Sequence, residues 1–144
     1  MWPLLRVAIG CIFLVSGLEK LLSPYQNFLY VIQAYQIMPS WVETLTAQIF
    51  PWVEFLTGVF VVLGLWTPWA LRAALVLFAC FIVVVGQALL RGIPLDNCGC
   101  FGELIHFKPS VIIVMDSGCF LLIVTLLRFL PKVKRLSLDA YFEK

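Results

Sequence analysis

From Pro68 to Leu90 the chain carries a single charged side chain, Arg72, in a stretch otherwise rich in Ala, Leu, Val and Phe. About 20 predominantly apolar residues are enough to cross the roughly 30 Å hydrocarbon core of a bilayer as a helix. In lipid every backbone N–H and C=O must be satisfied within the segment, so a run of this kind is read as a transmembrane helix. Three further windows of similar character lie at residues 3–22, 46–66 and 110–130 of the 144-residue chain. Four spans use most of the sequence. The expected fold is therefore all-α, an integral membrane four-helix bundle forming one domain over residues 1–144. The overall balance agrees: 62% of residues are hydrophobic and 12% charged, well outside the range of a soluble globular domain. No basic patch interleaved with aromatic residues suggests nucleic acid, and the lipid bilayer is the first partner.

The first window is read as a retained helix. It has one early basic residue, Arg6, is too long for a signal-peptide core, and shows no small-x-small cleavage site before Glu19-Lys20. Four spans place both termini on the same side. With them lie Arg6, Arg72, Arg128, Lys132, Lys134, Arg135 and Lys144, seven bases against three, Lys20, Arg91 and Lys108, on the other side. The positive-inside rule then puts the termini in the cytoplasm and the loop between helices 3 and 4 outside.

The connections are short. Ser23-Pro24 has the form of an N-cap followed by a helix-starting proline. Beyond it Phe28, Val31, Ile32 and Tyr35 recur at helical spacing opposite Gln26, Asn27, Gln33 and Gln36, which predicts an interfacial helix on the outer membrane surface. The second span is expected to start around Ala47 to Pro51, and Thr67-Pro68 to make a tight turn into the third. Gly10, Ser16 and Gly17 in the first span allow the close approach by which membrane helices pack.

Several polar side chains fall inside the windows, where a central carboxylate costs about 2.5–3.5 kcal/mol even on insertion scales. Glu54 is expected about 12 Å from the outer end of its helix and Asp116 about 9 Å, at 1.5 Å per residue. Lys20, Gln87 and Arg91 occupy outer helix ends. The arginines near the cytoplasmic ends can snorkel to water. Two readings follow. One is a structural set of ion pairs, Lys20 with Glu54 and Arg91 with Asp116. The other is a polar pocket open to the outside, built from Lys20, Glu54, Gln87, Arg91 and Asp116, that supplies protons or binds a polar head group.

The loop before the last window reads LDNCGCFGE, with Cys98 and Cys100 separated by Gly99. On the extracytoplasmic side disulfides form and persist. A bridge between residues i and i+2 is a poor staple, worth about 1.6 kcal/mol in the chain-entropy model before strain is subtracted. A strained, exposed disulfide is the labile kind, so the pair reads as a redox pair with Cys98 and Cys100 as the reacting thiols. Two thiolates near Asp96, Glu103 and His106 form half of a thiophilic metal site, and metal handling is the alternative reading of the same motif. Cys11, Cys80 and Cys119 fall in mid-helix, where a thiol behaves as a small apolar group.

Taken together, Arg6…Gly10…Ser16-Gly17-Leu18-Glu19-Lys20-Leu21, Pro51-Trp52-Val53-Glu54…Gly58 and Cys98-Gly99-Cys100-Phe101-Gly102 resemble the small four-helix membrane proteins of the DoxX-like group, and within it the methylamine-utilisation MauE branch. The resemblance covers nearly the whole chain. It implies a bacterial inner-membrane protein that exchanges disulfides with a periplasmic thioredoxin-like partner and assists maturation of a periplasmic redox enzyme. Other members of the wider group imply a different role, that of a non-enzymatic subunit or assembly factor in quinone-linked sulfur-compound oxidation. Quinone is the candidate cofactor, and Phe101, Gln87 and Arg91 are the residues expected beside it.

Overall fold

The computed structural model describes residues 2–93 and 109–133, together with positions 138 and 141. The described residues form helices without strands: α1 (Trp2–Leu22), α2 (Tyr25–Ala34), α3 (Ser40–Leu63), α4 (Thr67–Leu90), α5 (Pro109–Arg128) and the single turn α6 (Leu130–Val133). Three of them, α3, α4 and α5, are long and apolar enough to cross a membrane. The first expected span is the 21-residue α1, which buries Arg6 and Lys20 among its neighbours.

Glycine sets the closest packing in the bundle. A Cβ on Gly17 would stand 2.6 Å from the backbone nitrogen of Phe55, and one on Gly58 would stand 2.7 Å from that of Leu14. Gly10 likewise faces Val62. These contacts define an antiparallel register in which positions 10, 14 and 17 of α1 oppose 62, 58 and 55 of α3. The two backbones touch because no side chain separates them. The register also staggers the pair. The first turns of α3 continue past the end of α1 near Leu22, and the first turns of α1 continue past the end of α3.

That stagger bears on the expected boundaries. Helix α3 starts at Ser40 rather than near residue 46. Pro39 serves as its N-cap, with its carbonyl accepting from the N–H groups of Val42 and Glu43 at 2.9 and 3.2 Å, and Thr44 Oγ1 donates to Ser40 O at 3.0 Å. Glu43, in the first turn of α3, is buried. Hydropathy does not register these polar first turns, although the backbone is already helical there. Pro51 lies inside α3 rather than at its start, giving up one donor toward the preceding turn. Glu54 therefore sits about 21 Å along its helix at 1.5 Å per residue, near the middle and deeper than expected.

Other joints also shift. Pro24, not Ser23, is the residue preceding α2, and its extended ψ of 132° turns the chain into the helix without a side-chain cap. The bend after α3 is made by Gly64-Leu65-Trp66, with Thr67 and Pro68 already in the first turn of α4. Gly64 at φ 69° adopts the left-handed cap, and the N–H groups of Gly64 and Leu65 both donate to Phe60 O.

Two apolar clusters hold the bundle. The larger joins Ile9 and Phe13 of α1, Val61 of α3, Leu71, Ala74 and Phe78 of α4, and Ile123 and Leu126 of α5. The smaller joins Tyr35, just after α2, to Val85 and Ala88 of α4 and Ile112 of α5. Start of α4 against end of α5, and end of α4 against start of α5, make that pair antiparallel. A polar layer lies between the two clusters.

Candidate functional site

Lys20 approaches from the last turn of α1 and Glu54 from the middle of α3, and their side chains meet at 2.8 Å with each only 1% exposed. The same ammonium donates to Ser16 Oγ at 2.7 Å, one helical turn back. Ser16 Oγ in turn stands 3.5 Å from Glu54 Oε1, at the outer limit of a hydrogen bond. Two phenylalanine rings complete the ammonium's surroundings, Phe28 at 5.3 Å and Phe81 at 5.7 Å from ring centre to nitrogen, within cation–π reach. The antiparallel register of α1 and α3 places these groups level, so the expected Lys20–Glu54 pair is formed. Small Ser16 serves as a polar partner to both ions as well as a packing residue.

Asp116 faces the same layer from α5. The residue is 6% exposed, and its Oδ2 has no hydrogen-bond partner among the described residues. The expected partner, Arg91, is elsewhere: its guanidinium is exposed and donates to Gln36 O at 3.4 Å, joining the end of α4 to the segment after α2. Asp116, Glu54 and Ser16 instead line one small cavity of about 20 Å³, together with Ile12, Phe13, Phe78 and Phe81. Gln87 is half-buried near the end of α4. The structure thus brings together Lys20, Glu54 and Asp116 of the five expected pocket residues, and sets Arg91 apart.

Beside this layer lies a larger chamber of about 260 Å³ between α2, the first half of α3 and the second half of α4. Phe28, Phe50 and Phe81 form its aromatic wall, Phe28 stacked on Phe50 at 6.1 Å and Phe50 edge-on to Phe81 at 5.4 Å. The short helix expected from residues 28, 31, 32 and 35 is present as α2, and that face is the one that lines the chamber. Thr46, Tyr35 and Cys80 are also in the lining. Such walls would suit the apolar ring and tail of a quinone, with Thr46 and Tyr35 as the hydroxyl-bearing residues, whereas Gln87 and Arg91, the residues expected beside it, are not in the lining. The chamber was not legible in the sequence, because its three phenylalanines come from three separate helices.

Arg6 is the residue whose role sequence reasoning missed. Rather than snorkelling it is buried, donating from Nη1 to Val133 O at 3.3 Å and from Nη2 to Val62 O at 3.4 Å. It thereby serves carbonyls near the ends of α3 and α6 that have no intrahelical partner. Cys11, Cys80 and Cys119 are free thiols, the first two exposed on the bundle surface. Cys98 and Cys100, with Asp96, Phe101, Glu103 and His106, lie outside the described residues.

The chain is 30% identical over 116 residues to the methylamine utilization protein MauE of Paracoccus denitrificans, an alignment covering 80% of this chain and 61% of that relative. The chain thus spans about three-fifths of the length of that relative. No solved structure matches it. The family model of the methylamine utilisation protein MauE matches residues 2–130, a range that takes in α1 to α5, and the chain belongs to the MauE family.

Proposed function

We propose that the protein is a bacterial inner-membrane thiol–disulfide redox protein, with Cys98 and Cys100 as the exchanging pair and a periplasmic thioredoxin-like protein as its partner, acting in methylamine utilisation by supporting maturation of a periplasmic redox enzyme. The observation that carries this reading is the Cys98-Gly99-Cys100 motif in the segment between the apolar helices α4 and α5. α1 acts as a fourth span, the termini are cytoplasmic and the dithiol segment is extracytoplasmic. Two features support that orientation. Arg6, Arg72 and Arg128 gather at the end of the bundle carrying the α3–α4 turn, as the positive-inside rule requires of a cytoplasmic face. Trp2, Trp66 and Trp69 lie at the same end, with the Arg72 guanidinium 5.0 Å over the Trp69 ring, as in an interfacial aromatic belt.

In the exchange, a thiolate of the reduced partner attacks one sulfur of the Cys98–Cys100 disulfide, forming a mixed disulfide and releasing the other cysteine as thiolate. The partner's second thiolate then breaks the mixed bond, leaving the partner oxidised and both cysteines reduced. The short ring favours this chemistry because strain in the oxidised pair raises its reduction potential. A quinone held by the aromatic chamber would supply a two-electron, two-proton acceptor for the reduced pair. The chain's own part is to shield that chamber with α2 and to keep the Lys20–Glu54–Asp116 layer beside it.

Trapping tests the proposal. Cys98→Ser and Cys100→Ser each leave one thiol, which can attack the disulfide of the oxidised partner, the exchange run in reverse, but has no second cysteine to release it. At least one variant should therefore accumulate a mixed disulfide with a periplasmic protein, visible by diagonal electrophoresis of membranes. A pair that stays reduced under oxidising conditions, with no mixed disulfide in either variant, would overturn the reading. Stoichiometric binding of one soft metal ion would replace it with metal handling.

A further inference from the structure

Among the described residues the polar layer is built on one cation, Lys20, and the carboxyl groups of Glu54 and Asp116, with Glu19 beside Lys20 on α1. Lys20 is held on three sides, by Glu54 Oε2, by Ser16 Oγ and by the Phe28 and Phe81 rings, so its ammonium is a fixed positive charge. Glu54 balances it. Asp116 is then surplus: it lies within electrostatic reach of both ions, yet its buried Oδ2 meets no donor among the described residues. An ionised carboxylate without a partner is the costly form at such a place. A carboxylic acid is not, provided its O–H finds an acceptor.

The cavity shared by Asp116, Glu54 and Ser16 provides for that. Its roughly 20 Å³ exceeds the 10–15 Å³ or so that a cavity needs to hold one water, and three polar groups reach into a space otherwise lined by Ile12 and phenylalanines. One water there can accept from the Asp116 O–H and donate to Glu54. The other titratable groups that reach this layer are Glu19, next to Lys20 on α1, and Cys119, one turn on from Asp116 in α5. The α4 residues facing it, Phe78 and Phe81, do not titrate.

We propose that Glu54 and Asp116 together hold one exchangeable proton in the membrane interior, passed between them through a single water in this cavity, with Lys20 as the fixed countercharge. The transfer is balanced. The Asp116 O–H bond breaks as the water takes its proton, the water gives another to Glu54, and the layer keeps one ammonium, one carboxylate and one carboxylic acid throughout. This makes the centre of the bundle a proton-binding site. It stands independently of the dithiol.

Infrared spectroscopy of the full-length protein in lipid nanodiscs at neutral pH tests this. The wild type should show one carbonyl band of a protonated carboxylic acid that moves to lower frequency in D2O. Selective 13C labelling of aspartate and of glutamate carboxyls should shift it without any substitution. Asp116→Asn should abolish it. Glu54→Gln should abolish it too, because Asp116 must then ionise to balance Lys20, whereas Lys20→Met should about double its area by leaving both carboxyls neutral. Glu19→Gln and the Cys98→Ser, Cys100→Ser double variant should leave it in place, which separates this site from thiol exchange. No deuterium-sensitive band in the wild type, a band insensitive to both labels, or one that survives Asp116→Asn unchanged would overturn the proposal.

Discussion

At the scale of residues, the Lys20–Glu54 pair shows how an interior charge is made tolerable. Both ions are nearly fully buried, and the pair is completed by Ser16 and two ring faces, because attraction repays desolvation only when the remaining hydrogen-bonding capacity is met. Removing one partner leaves a charge stranded or forces a proton on or off. Lys20→Met and Glu54→Gln should each lower stability by up to about 3–5 kcal/mol, and Lys20→Met with Glu54→Gln should cost less than the sum of the two, since neither ion is then left alone. Unfolding of the four proteins of this cycle in mixed micelles measures the coupling. Strict additivity would show that the two side chains do not act as a pair. Lys20 and Glu54 were legible as polar residues in apolar helices, but the polar role of Ser16, read as a small packing residue, and the cation–π walls were not, because Phe28 and Phe81 are remote in sequence and read simply as apolar.

Among elements, the α1–α3 contact carries the site, since it alone sets Lys20 level with Glu54. Its closeness depends on glycine at 10, 17 and 58. Gly17→Ala would place a methyl 2.6 Å from a backbone nitrogen that has no rotamer with which to yield, so the helices must separate, at a cost of about 1–3 kcal/mol typical of overpacking. Gly118→Ala on α5 meets nothing within 4 Å, and alanine's better helix propensity, worth up to about 1 kcal/mol, should make that change neutral or stabilising. Thermal unfolding of the two variants should therefore move in opposite directions relative to each other. Equal melting temperatures would mean that α1 and α3 are not in backbone contact. The small residues of α1 were readable as a packing face, but their partner helix was not, since Gly58 stands alone in its part of α3.

For the whole molecule, the charge asymmetry between the two ends is the property that can be tested in cells. With Arg6, Arg72 and Arg128 at the end carrying the α3–α4 turn, Cys98 and Cys100 should react from outside with a membrane-impermeant maleimide after mild reduction. Cys11, Cys80 and Cys119 are mid-helix thiols, surrounded by lipid or protein, and should stay unlabelled. Reaction of Cys98 and Cys100 from the cytoplasmic side only would invert the topology and remove the periplasmic partner with it.

Helix identity, the membrane class and the list of interior polar residues follow from sequence alone, because hydropathy and the 3.6-residue period are local properties that a short window contains in full. The helical start at Ser40 escaped that window because capping by Pro39 and inward-facing Glu43 are not matters of hydropathy. Pairing is not local. Whether Asp116 would meet Arg91 depended on how far α4 and α5 are staggered and on where α2 turns back. The tertiary structure sends Arg91 to Gln36 and Asp116 into a cavity shared with Glu54 and Ser16. Backbone contact at three glycines decides the register of α1 on α3, and that register converts scattered polar residues into one buried layer.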